Sequence, residues 1–129
     1  MAAAATVDEY IAGFPPDVAE RLQRIREVIL AEVRTASPTH PTPEEKVRYG
    51  IAAVMLGGRY ALHYAGWKKH IGLYPVPTLG EPLQSRIAPY RSEKDSVIFL
   101  HSAPIPYELI GDITRAIVAR RSETQPSSD

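Results

Sequence analysis

Between Val47 and Tyr74 the chain holds three runs of apolar, β-branched and aromatic residues, VRYGIAAVML, RYALHYA and KHIGLY, separated only by Gly57-Gly58 and by a short stretch around Trp67 and Lys68. Neighbouring parallel strands need a crossover of a dozen or more residues, so connections this short leave only antiparallel pairing. The pattern predicts a three-strand meander: Val47 to Leu56, Arg59 to Ala65 and Lys69 to Tyr74. Its turns fall at Gly57-Gly58, where glycines supply positive φ angles, and at Trp67-Lys68.

The flanks of the meander read as helices. Thr6 and Glu9 have capping-box spacing, in which hydroxyl and carboxylate each satisfy an orphan backbone donor, and a short helix from Val7 to Ala12 follows. Gly13 and Pro15-Pro16 end it and place Asp17 in the first turn of a longer helix. There Val18, Leu22, Ile25, Ile29 and Val33 recur at helical spacing, with Glu20 and Arg24 as an i,i+4 pair opposite; this helix ends near Arg34. The segment TASPTHPTP, with three prolines, is a surface loop. After the meander, a short helix is expected from Pro82 to Ala88, a fourth strand in DSVIFLHS, and a last helix from Pro106 carrying Ile110, Ile113 and Ile117 on one stripe. The result is an α+β fold: a mainly antiparallel sheet, the meander plus a fourth strand, with helices packed on one face.

The 129 residues suit one domain, taken as 1–121, with the small polar SETQPSSD of 122–129 as a disordered tail. Fifteen basic residues balance fifteen acidic ones, so no global field gathers nucleic acid or an anionic membrane, and any charged partner needs a local patch. Cysteine is absent, which excludes disulfides, thiolate nucleophiles and thiolate metal sites. The first residues carry neither a basic leader nor a long apolar run, and the expected location is the cytoplasm.

Alternation along the strands puts Tyr60, Leu62 and Tyr64 on one sheet face and His63 on the other. With a two-residue turn at Trp67-Lys68, Ala65 faces His70, and His63 and His70 become diagonal neighbours beside Tyr74 on a face of small residues. That face is a candidate shallow pocket. Two imidazoles could begin a metal site, although no third ligand is apparent. Trp67, Lys68 and Lys69, with Arg59 on the adjoining strand and Arg91 and Lys94 farther on, form a candidate cationic edge for a small anion or an acidic partner segment. His40 and His101 have no spacing partner. Asp17, Glu20 and Glu27 belong to an acidic N-terminal region able to hold a hard cation weakly, but interleaved arginines favour a solvated, salt-bridged helix face. No nucleophile-elbow serine and no acid–base carboxylate pair is found, and the chain is read as non-enzymatic.

The motifs TVDEYIAGFPPDVAERLQRIREVILAEV, EEKVRYG, YAGWKKHIGLYPVP, RSEK and APIPYELIGDITRAIV resemble, in order, the YdhG-like family of small bacterial proteins of unknown function; GWKKHIGLYP is the most specific of them. The resemblance implies a fold similar to the frataxin or CyaY-like class and, from iron-chaperone-like members, a weakly bound iron and an iron-accepting partner, with no required cofactor. This chain departs from the family pattern at Ile51-Ala52, at Val54 and at Asp95. The competing expectation is a module for a small anion or a protein partner on the open sheet face and the Trp67-Lys68-Lys69 turn.

Overall fold

A computed structural model of the chain describes residues 4–36, 43–56 and 59–124. In chain order the elements are α1 (Val7–Ala12), α2 (Pro16–Ala36), β1 (Glu44–Arg48), β2 (Ile51–Leu56), β3 (Arg59–Gly66), β4 (His70–Tyr74), α3 (Leu83–Ile87) with a 3-10 turn (Ala88–Tyr90), β5 (Arg91–Glu93), β6 (Ser96–Leu100) and α4 (Tyr107–Thr124). The strands form one sheet in the order β1-β2-β3-β4-β6-β5, each neighbouring pair antiparallel. Only the connection from β4 to β6 leaves sequence order, and α3 and β5 fill it.

The α+β class is as expected, and the sheet has six strands where four were read. The run from Val47 to Leu56 is two strands, because Tyr49 and Gly50 both take positive φ, 55° and 76°, and fold the chain back in a tight turn. Residues 91–93 pair with β6 as a short edge strand. The Gly57-Gly58 turn and His40 lie outside the described residues; Leu56 and Arg59 on either side of the glycines are paired. Most of the proline loop is outside them as well, although Thr35 and Ala36 continue α2. Helix α4 runs to Thr124, and the rest of the expected tail lies outside the described residues.

The helix-covered face holds the core. Leu22, Ile25, Ile29 and Val33 of α2 and Ile110, Ile113 and Ile117 of α4 meet Val54, Leu62, Tyr64, Ile71, Leu73, Val97 and Phe99 of the sheet. Each such side chain contributes about 1.5–3 kcal/mol when fully buried, so the two apolar stripes explain why these helices sit on this face. At the start of α1, Thr6 accepts from the Glu9 backbone N–H and Glu9 accepts from that of Ala5. Arg24 does not need Glu20: its guanidinium lies 4.1 Å over the Tyr107 ring of α4. Arg26 makes two hydrogen bonds of 2.8 Å to Glu45 of β1 and one of 2.6 Å to Asp8 of α1.

Candidate functional site

The other sheet face carries no helix among the described residues, and its floor is small: Ala53, Ala65 and Gly72 are buried without belonging to the core. Over Gly72 lies the Tyr74 side chain. A Cβ on Gly72 would stand 1.8 Å from the Tyr74 hydroxyl, so glycine is the seat on which this ring rests. The ring is held there by Trp67, whose indole N–H donates to the Tyr74 hydroxyl at 2.8 Å. The expected shallow pocket around His63, His70 and Tyr74 is therefore filled by the protein's own aromatic groups.

Register decides which groups meet. Gly66 pairs with Ile71 and His63 with Tyr74, and the Trp67 N–H donates to the His70 carbonyl, so the turn is centred on Lys68-Lys69, not on Trp67-Lys68. The pairing differs by two residues from the expected one. An even shift keeps every side chain on its face, so His63, His70 and Tyr74 do share one. It also separates the histidines: His70 is four residues back along β4 from the residue opposite His63, about 13 Å. They cannot share a metal ion.

A second departure brings a new residue in. Leu62 pairs with Val54 but Tyr60 with Met55, so β3 carries an extra residue at Ala61, and this bulge turns Tyr60 onto the face of His63. The ring centroids of Tyr60 and His63 are 5.1 Å apart, and Tyr49 brings its ring to 6.1 Å from His63. Arg48 spans both phenols, 5.2 Å from the Tyr49 centroid and 5.3 Å from that of Tyr60. Beneath this cover His63 is 6% exposed, and its Nε2 has no hydrogen-bond partner. Burial pushes the His63 pKa down, the nearby Arg48 charge adds to the effect, and a backbone hydrogen bond at Tyr74 opposes both.

Beside this cluster Lys46, Arg48, Arg59, Tyr60 and Met55 line a concavity of about 500 Å³. The lining holds three cationic residues, one aromatic ring and one methionine, and no carboxylate. Lys46 has Glu44 at 4.0 Å on the exposed edge, a weak pairing.

The other expected site residues are dispersed. Lys68 and Lys69 are exposed at one end of β4, while Arg91 and Lys94 lie toward the other end, since His70 pairs with Leu100 and Leu73 with Val97, the residue opposite Arg91. The single cationic edge does not form. Arg91 is also occupied, donating to the carbonyls of Val76, Pro77 and Lys94. Trp67 is 47% exposed, and the carbonyl behind it meets His101 Nε2 at 2.9 Å; His101 Nδ1 lies 3.3 Å from Arg21, so this histidine ties the turn to α2. Asp17 accepts from the Val18 N–H, Glu27 accepts from Gln23, and Glu20 is exposed. Glu20 and Glu27 are seven residues apart on one helix, about 10 Å along its axis, and among the described residues no group of three or more His, Asp or Glu side chains could hold a metal ion. These residues do not fit a metal site.

No protein-family profile matches the chain, and no curated protein matches it. Among solved structures, a protein of the DUF1801 family from Bacillus subtilis, YdhG, superposes with a TM-score of 0.69 over 93% of this chain and 94% of that one, at 17% identity. No helix among the described residues is long and apolar enough to cross a membrane. The six-stranded antiparallel sheet with helices on one face is thus the fold of that bacterial protein.

Proposed function

We propose that this protein is a YdhG-like binding module that takes a small anion on the helix-free face of its sheet. The observation that carries the reading is the concavity lined by Lys46, Arg48 and Arg59 with Tyr60 and Met55, three cationic residues against one carboxylate, Glu44, which stands 4.0 Å from Lys46. Two of them are arginines, whose planar fork pairs with carboxylate or phosphate oxygens through parallel N–H donors. The Trp67-Lys68-Lys69 turn is a less suitable centre, because its indole is engaged by Tyr74 and its lysines are solvated. The family likeness rests on the GWKKHIGLYP motif and the shared fold. An iron-donor role finds no grouped set of donor residues among the described residues to support it. The non-enzymatic reading is kept, since the cluster offers cations and one histidine but no nucleophile–base pair.

Isothermal titration with inorganic phosphate tests the site. Binding should weaken as sodium chloride is raised, because exposed charges are screened within about 10 Å at moderate salt. Arg48→Ala and Arg59→Ala should each lower affinity about tenfold, the order of one charge-assisted hydrogen bond. An absence of binding heat and of thermal stabilisation at millimolar phosphate would sink the reading.

A further inference from the structure

Rings and cations on the helix-free face extend beyond the concavity. At one end Tyr49 and Tyr60 stand beside Lys46, Arg48 and Arg59; at the other, Trp67 stands beside the exposed Lys68 and Lys69. Tyr60 and Trp67 are seven residues apart on the path of β3, one of them taken up by the bulge, so the two ends are separated by about 20 Å. The large apolar side chains exposed among the described residues are Tyr49 at 84%, Tyr60 at 40%, Trp67 at 47% and Leu100 at 52%. All four lie on this side of the sheet, Leu100 because it stands opposite His70. Single exposed apolar groups are ordinary, but their gathering on one face marks an interaction surface. Of the described residues that β1 to β4 turn to this side, Glu44 alone is a carboxylate. A second copy laid face to face would set cations on cations, because both ends carry them. The complementary partner is anionic along its length and brings flat groups to the rings.

We infer that this face binds single-stranded nucleic acid: phosphates run over Lys46, Arg48 and Arg59 toward Lys68 and Lys69, and bases stack on Tyr49, Tyr60 and Trp67. This rests on the anion-binding reading and names the molecule that carries the anion. Phosphate pairing along a cationic track and base stacking on aromatic side chains are the two contacts a sequence-tolerant single-strand site uses, and such sites begin at about four nucleotides. The chain as a whole is neutral, and the attraction is local to this face. The Trp67 N–H is taken by the Tyr74 hydroxyl, which holds the indole in place while stacking uses the face of the ring. A duplex keeps its bases paired and stacked on one another and offers this surface phosphates alone. Neither contact reads the sugar 2′-hydroxyl, so DNA and RNA strands serve alike.

The test is titration of the full chain with a thymidine octamer, read by calorimetry and by the emission of Trp67, the sole tryptophan. The octamer should quench that emission and bind about tenfold more tightly than an abasic octamer of the same charge, which has phosphates but nothing to stack. Log affinity should fall against log salt with a slope of about −2, as three phosphate contacts at about −0.7 each require. Tyr49→Asn removes a ring that is 84% exposed, so folding does not depend on it, and should lower octamer affinity about tenfold. Octamer binding no tighter than that of the abasic chain or of the matching duplex would overturn the inference and, with inorganic phosphate still bound, leave the anion site standing. A glutamate-rich peptide binding as tightly as the octamer would overturn it in favour of an acidic protein segment. Binding of neither the octamer nor inorganic phosphate would overturn both readings.

Discussion

Tyr49 shows a residue held against its own preference. A left-handed conformation costs a non-glycine residue about 1–2 kcal/mol, and at 84% exposure Tyr49 gains little from burial; its compensation is the Arg48 contact, about 0.5 kcal/mol at an exposed site. Asparagine tolerates this conformation better, so Tyr49→Asn should raise stability in urea by about 0.5 kcal/mol; an unchanged or lowered urea midpoint would show that the left-handed conformation carries no net cost here. His63 makes a pH prediction. Its folded pKa lies below the ordinary 6.5, so the unfolded chain binds more protons as pH falls. The contribution of this group is fully present above pH 6.5 and is lost as pH drops through the lowered folded value. Unfolding free energy in oxyanion-free buffer should therefore decline on acidification, and His63→Phe should flatten that slope. The face of His63 was legible from period-two alternation. The identity of its neighbours was not, because a bulge at Ala61 leaves no residue signature and a tyrosine is an unusual choice for the first position of a Tyr-Gly turn.

Among the elements, β1 is tied to the helices through Arg26. Arg26 of α2 reaches across to Glu45 with both residues less than one fifth exposed, whereas its second partner, Asp8, is 80% exposed. Hydrogen bonding and attraction from Glu45 and Asp8 outweigh partial burial and raise the Arg26 pKa, keeping it charged. Arg26→Ala should cost about 2 kcal/mol and speed hydrogen exchange in Glu44–Arg48, while Asp8→Ala should be nearly silent. The helices themselves were legible: α1 has the predicted bounds, and the apolar stripes of α2 and α4 identified the residues that reach the core. Strand boundaries were less so. A strand read from Val47 to Leu56 could be divided only by seeing Tyr49-Gly50 as a turn, and the β3–β4 register moved by two because Lys68-Lys69 makes the turn without glycine or asparagine to mark it.

At the level of the whole molecule, the antiparallel order and one-sided helix packing followed from connection lengths and apolar periodicity, whereas a site assembled from β1, β3 and the turn after β1 depends on register and bulges that no single segment encodes. The same sheet has two ends where pairing stops, β1 and β5. Strand β5 is three residues long, and β1 sets Glu44, Lys46 and Arg48 along the helix-free side of its border. An incoming strand would have to desolvate those charges to extend the ladder. Replacing Glu44 and Lys46 together by valine should make light scattering rise more steeply with protein concentration than it does for the wild type. With both borders blunted, lateral growth of the sheet is discouraged, and the direction of approach left to another molecule is perpendicular to the plane of the sheet, onto the Tyr49, Tyr60 and Tyr74 rings and the cations beside them.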